Sequence, residues 1–235
     1  MEYPCYTECG ECKACDWTSC EDDVGFLLSI TEALKKSLFT DPSRFYLLGN
    51  SNGGSMVQRL SCDHPGHFAA VGIMIYQMPP GHACGPGETL PLFHYYGEQD
   101  DGVPPDGKPS SDGWVYTSAA ENTRVWAESM GCNASSSPWH TELTRRHGLD
   151  CEAYTHCPSK DAAVVSCGDP AAGHEWAAQR ISAIPADCVA PAQRQDLPRQ
   201  PDCPAISPTE KRWGMEVVWQ FFRQYSRTPA LVSFQ

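Results

Sequence analysis

Ser51 stands at the centre of Gly49-Asn50-Ser51-Asn52-Gly53, a G-x-S-x-G pattern. An alcohol is a weak nucleophile at neutral pH, so a serine that carries out acyl transfer needs a histidine to take its proton and an acid to orient that histidine. Glycine on both sides suits a tight strand-to-helix turn that leaves no room for a Cβ and lifts the hydroxyl clear of the chain. Asn52, the next residue, would offer its backbone N–H to a developing oxyanion from the first turn of a helix. The bare pattern also fits a plain glycine-rich turn. A strand before it and a helix after it favour the nucleophile.

The orienting acid belongs beyond the carboxyl end of a later strand, where sites in open α/β sheets lie. Asp100 and Asp101 follow an apolar run ending at Tyr96, and Gly97, Gly102 and Pro104 make their surroundings a loop. Asp100 is the first candidate and Asp101 the fallback; a pair that only solvates a turn is the alternative. His174, in Ala171-Ala172-Gly173-His174-Glu175-Trp176, follows the last apolar run, so serine, acid and histidine come in the chain order expected of a triad on such a sheet. His64, His67, His82, His140, His147 and His156 lie in polar or turn-like stretches and read as surface groups, and His94 reads as core. No HExxH-type pair occurs, so no histidine metal site is expected. Tyr76 and Trp176, with Tyr95 and Trp114, could form an aromatic wall for substrate, although such aromatics are more often core.

Elements to position these residues are legible in the apolar spacing. Val24, Leu27, Leu28, Thr31, Leu34 and Leu38 recur at helical spacing behind Asp22 and Asp23, which predicts a helix to about Leu38. Phe45 to Leu48 reads as a buried strand stopping at Gly49, and Met56, Val57 and Leu60 predict a helix to about Cys62. Further strands are expected at 69–75, 90–96 and 162–167, with helices near 119–130 and 215–225. Strands alternating with helices imply a parallel sheet. The proline-rich stretch from Ile184 to Pro208 reads as irregular loop.

A length of 235 residues with 41% hydrophobic and 20% charged residues fits one globular core. The formal net charge of -12 argues against nucleic acid or an anionic membrane as partner. No run of about 18 apolar residues occurs, so no membrane-spanning helix is expected. Thirteen cysteines scattered through turn-rich segments suggest disulfides and an oxidising, extracellular compartment, although no signal peptide is visible in this stretch. Asn133-Ala134-Ser135 is a glycosylation sequon. Residues 1–21 hold Cys5, Cys9, Cys12, Cys15 and Cys20 with almost no aliphatic residues, so they form a Cys-rich segment ahead of a catalytic domain at 22–235. Cys9, Cys12 and Cys15 could also bind zinc or an iron-sulfur cluster, the lesser alternative in a disulfide-rich chain.

With these residues in place, the chain resembles the secreted feruloyl esterase, acetylxylan esterase and polyhydroxybutyrate depolymerase-like family of α/β-hydrolases. The resemblance rests on Asp22-Asp23-Val24-Gly25-Phe26, Asp41-Pro42 with Arg44 and Tyr46, and Gly49-Asn50-Ser51-Asn52-Gly53-Gly54. Arg59-Leu60-Ser61-Cys62 with Phe68-Ala69-Ala70-Val71, then Gly97-Glu98-Gln99-Asp100 with Val103-Pro104, and finally Gly173-His174-Glu175-Trp176 complete it. It extends from about Asp22 to Tyr225 and selects Asp100 over Asp101. It implies an α/β-hydrolase fold with a mostly parallel sheet and pairs Cys62 with Cys84, Cys132 with Cys151, Cys157 with Cys167 and Cys188 with Cys203.

Members of the family normally have several strands before the first of these segments, one of whose loops supplies a second oxyanion donor. Only 21 residues precede it here, so the expected sheet lacks the N-terminal strands, leaving the nucleophile strand at an edge and one oxyanion donor in hand. Ala171-Ala172 and Ala177-Ala178 also replace glycine and proline-glycine of the family pattern. The resemblance implies cofactor-free hydrolysis of acyl esters on polysaccharides, or of short-chain polyesters, through an acyl-enzyme on Ser51. The alternative is a truncated or non-catalytic hydrolase-like domain that binds carbohydrate.

Overall fold

The computed structural model describes residues 21–227 except 38, 88–89, 112, 134, 159–162 and 176–212. The element order is α1 (Asp23–Lys35), β1 (Tyr46–Asn50), α2 (Asn52–Asp63), β2 (Ala70–Met74), β3 (Leu92–Gly97), α3 (Ala119–Ser129), β4 (Ser137–Pro138), α4 (Glu142–Arg146), β5 (Asp150–Tyr154), β6 (Val164–Asp169) and α5 (Trp213–Phe222). The strands form one sheet in the order β1-β2-β3-β6-β5-β4. β1, β2, β3 and β6 run parallel, whereas β5 is antiparallel to β6 and to β4. A mostly parallel sheet with flanking helices is the arrangement of an α/β-hydrolase, as the sequence implied. Among the described residues β1 forms one edge of the sheet.

Both faces of the sheet are covered, and strand alternation divides its side chains between them. On one face Ala70, Met74, Phe93, Tyr95, Val165 and Cys167 pack with Val217, Val218, Phe221 and Phe222 of α5. On the other, Val71, Ile73, Leu92 and Val164 pack with Val57 and Leu60 of α2 and Trp126 and Ala127 of α3. Trp126 is buried and donates its indole N–H to the Leu90 carbonyl at 2.8 Å, which removes the cost of burying that polar atom.

Local chemistry starts the helices where expected. Asp22 caps α1 by accepting the Gly25 N–H at 2.8 Å, and Ser118 caps α3 by accepting that of Glu121 at 3.1 Å. In α1, Val24, Leu27 and Leu28 turn inward, but Leu34 lies 48% exposed on a face shared with Phe26 and Ile30, so the inward stripe is narrower than its spacing suggested. β4, α4 and β5 carry little apolar signal and were not expected; β5 is Asp-Cys-Glu-Ala-Tyr, whose buried positions are largely small.

The antiparallel β5 corrects two disulfides. Its register sets Cys151 opposite Cys167, and these two are bonded. Cys132, just after α3, pairs with Cys157, just after β5, so the expected Cys132–Cys151 and Cys157–Cys167 pairs are exchanged. Cys62–Cys84 forms as expected. The N-terminal cysteines, Cys188 and Cys203 lie outside the described residues.

Candidate active site

β1 ends at Asn50 and α2 begins at Asn52, so Ser51 alone makes the turn, with φ of 51° and ψ of -121°. A non-glycine residue in that region is strained and is held there by its surroundings. The Ser51 N–H donates to the Met74 carbonyl at 2.9 Å, tying the turn to the end of β2, and the Ser51 carbonyl accepts from Gly54 at 2.7 Å.

The glycines divide the work differently from the expectation. A Cβ on Gly49 would lie 2.1 Å from the Gly53 carbonyl oxygen, so glycine is obligatory there. A Cβ on Gly53 would meet nothing within 4 Å. The second close approach is instead at Gly54, where a Cβ would come within 2.9 Å of the Tyr76 Cβ.

His174 and Asp100 meet this turn from two neighbouring loops. The Ser51 Oγ lies 2.8 Å from His174 Nε2, and His174 Nδ1 lies 2.8 Å from Asp100 Oδ2. The Asp100 side chain is 1% exposed and that of His174 35%, so the acid is sheltered while the imidazole reaches solvent. The other carboxylate oxygen, Oδ1, accepts the N–H groups of Gly102 at 2.9 Å and Val103 at 2.8 Å. Sequence reasoning missed these two amides; the Asp-x-Gly spacing was the available signal, since an aspartate side chain readily bonds the backbone two residues on. Asp101, the fallback acid, is exposed, and its carbonyl accepts from Ser111 in the loop.

The two loops are joined before they reach the site. The last β3–β6 pair is Gly97 with Asp169, after which the Gln99 N–H donates to the Ala172 carbonyl at 3.0 Å. Gly97 passes so close that a Cβ would lie 2.2 Å from the Gly173 carbonyl oxygen. Ala172 is buried beside this contact, so the alanine that departs from the family pattern fits the loop.

Asn52 opens α2, where the first-turn N–H groups have no acceptor within the helix itself. Tyr76 departs from expectation: only 1% exposed, it packs under Gly54 and edge-on to Tyr116 and is not a wall facing substrate. Tyr95 is also buried, with its hydroxyl bonded to Asp169. Trp114 is half-buried against the core, and Trp176 lies outside the described residues.

Of the remaining histidines, His94 was expected in the core and lies there. His94 is fully buried, with Nδ1 at 2.9 Å from Ser166 Oγ and Nε2 at 3.1 Å from the Tyr76 carbonyl, and burial pushes its pKa down to about 4. It is a neutral core histidine. His64, His67, His82, His140, His147 and His156 are half-buried or exposed. Among the described residues no cluster of histidine, cysteine or acidic side chains could hold a metal ion.

No protein-family model matches the chain. It is 35% identical to "Putative esterase NocK" of Nocardia uniformis subsp. tsuyamanensis over 86 residues, which are 36% of this chain and 25% of that protein. It is 26% identical to Feruloyl esterase B of Piromyces equi over 144 residues, 58% of this chain and 26% of that protein. The chain thus spans about a quarter of the length of these curated relatives. Among solved structures, an acetyl xylan esterase from Aspergillus awamori matches with 15% identity and a TM-score of 0.46, over 64% of this chain and 61% of that one. A thermostable esterase matches with 22% identity and a TM-score of 0.30, over 44% and 24%. Both curated relatives carry esterase names, which bears out the family resemblance of the motifs.

Proposed function

We propose that this chain carries the catalytic residues of a secreted serine carboxylic-ester hydrolase that acts on acyl esters of polysaccharides, feruloyl or acetyl, or on short-chain polyesters. The observation that carries the reading is the unbroken relay from Ser51 Oγ through His174 to Asp100, with both contacts at 2.8 Å.

In the first half-reaction His174 Nε2 takes the Ser51 proton as Oγ attacks the ester carbonyl, and Asp100 stabilises the imidazolium through Nδ1. The tetrahedral oxyanion is met by the Asn52 N–H. His174 returns its proton to the departing alcohol, leaving an acyl-Ser51 ester. In the second half-reaction water gives a proton to His174 and attacks the acyl carbon, releasing the acid and restoring the Ser51 hydroxyl. No cofactor takes part in these steps. Trp176, two residues beyond His174, is proposed to border the substrate.

The substrate class rests on the name of the Piromyces relative, and secretion on the three disulfides among the described residues, which fit an oxidising compartment. The acidic net charge of -12 suits a neutral polymer better than an anionic one. The test is a fluorophosphonate probe with peptide mapping, beside p-nitrophenyl acetate turnover by the parent and Ser51→Ala. Labelling at Ser51 and a loss of at least about 10³-fold in the variant are expected. Equal turnover by the two proteins would overturn the assignment.

A further inference from the structure

We infer that Asp169 is a positioning residue for His174, acting with Tyr95 as a clasp that holds the histidine loop against the acid-bearing strand; this rests on the serine-hydrolase reading above. Asp169 closes β6 and is only 8% exposed, an unusual location for a carboxylate. Its two oxygens serve different partners. Oδ2 accepts the Tyr95 hydroxyl at 2.9 Å, and Oδ1 accepts the Ala171 N–H at 3.0 Å. Tyr95 belongs to β3, whose continuation carries Asp100, and Ala171 begins the loop that carries His174. One side chain therefore grips both partners of the His174–Asp100 pair without touching either.

The backbone of the same residue extends the grip. The Asp169 carbonyl accepts from Glu98 at 3.0 Å and from Ala172 at 3.2 Å, and the Gln99 side-chain amide donates to the Pro170 carbonyl at 2.8 Å. Asp169, Pro170 and Ala172 are thus each bonded to residues 95–99, and Ala171 is held through the Asp169 side chain. Losing the Asp169 carboxylate removes the acceptor of the Ala171 N–H and of the Tyr95 hydroxyl together. A displacement of about 1 Å at a reacting group can cost on the order of 10²-fold in rate, so a loosened loop affects turnover far more than ground-state binding.

Three variants separate this from a general loss of packing. Asp169→Ala removes both acceptors. Asp169→Asn keeps the Ala171 bond through its carbonyl and lets its amide donate to the Tyr95 hydroxyl, which can accept. Tyr95→Phe deletes one hydroxyl and leaves the ring in place, so it stands in if the alanine variant does not fold. Each is measured with p-nitrophenyl acetate, well below its unfolding temperature, for kcat, KM and the pH profile of kcat/KM.

The expected result is a 10- to 100-fold fall in kcat for Asp169→Ala, with KM changed less than about threefold. Its acidic limb should move to lower pH, because an imidazolium held less firmly by Asp100 loses its proton more readily. Tyr95→Phe should move kcat and the limb the same way by less, and Asp169→Asn should keep kcat within about threefold of the parent. A folded Asp169→Ala or Tyr95→Phe protein with unchanged kcat and an unmoved limb would overturn the clasp, as would Asp169→Asn failing like alanine. Failure of the hydrolase reading itself has a separate signature, a parent protein that the fluorophosphonate probe does not label.

Discussion

Replacing Asp100 by asparagine should nearly abolish turnover while leaving the fold in place. The carboxylate is shared by three donors: Oδ1 takes Gly102 and Val103 at 2.9 and 2.8 Å, and Oδ2 takes His174 Nδ1 at 2.8 Å. An asparagine must leave its carbonyl on the two loop amides, because turning over would aim its NH₂ at two N–H groups. The NH₂ then faces His174 Nδ1, which can only accept, so the ring proton moves to Nε2. A protonated Nε2 facing Ser51 Oγ at 2.8 Å cannot take the serine proton. The loss expected from the wrong tautomer is about 10⁴-fold in kcat, equivalent to about 5.5 kcal/mol at ~1.4 kcal/mol per tenfold. Stability should stay within about 1 kcal/mol, because both loop amides keep their acceptor. The measurements are p-nitrophenyl acetate turnover, the rate of fluorophosphonate labelling at Ser51, and urea unfolding of the same samples. A folded variant retaining more than about a tenth of the parent kcat would refute the orienting role of Asp100.

Three further outcomes follow from the geometry. Gly49→Ala should destabilise by at least about 2 kcal/mol, because its Cβ would strike the Gly53 carbonyl at 2.1 Å, whereas Gly53→Ala should be neutral or stabilising by up to about 1 kcal/mol; the reverse ranking in urea unfolding would contradict the turn described here. His94 stays neutral in the fold with its pKa at about 4, so the unfolded chain takes up a proton first as pH falls below about 6.5. Stability should therefore decline between about pH 6.5 and 4, by up to about 3 kcal/mol from this group, and His94→Gln should show a flatter decline in urea midpoints over that window. Peptide mapping without reduction should recover Cys132–Cys157 and Cys151–Cys167 and neither of the exchanged pairs.

What the sequence determined was what short-range signals can carry. Apolar spacing and capping residues located α1, α2, α3 and α5 and the four parallel strands within a few residues, because helix and strand periods are local properties. Flanking residues and chain order marked Ser51 and His174, the family resemblance selected Asp100 over Asp101, and the structure brings the three side chains together. What the tertiary structure decided was which distant surfaces meet. β5 has too little apolar content to announce itself, yet its antiparallel register with β6 fixes two disulfides that no spacing rule could assign. Tyr76 reads equally as a wall or as core until Gly54 is seen to pack on it. Gly53 and Gly54 look alike in the chain, and only the approach of Tyr76 makes the second one sterically demanding. Asp169 carries no motif at all; its place between Tyr95 and Ala171 exists because β3 and β6 lie side by side. Periodicity is written residue by residue, whereas register and close approach arise between segments far apart in the chain.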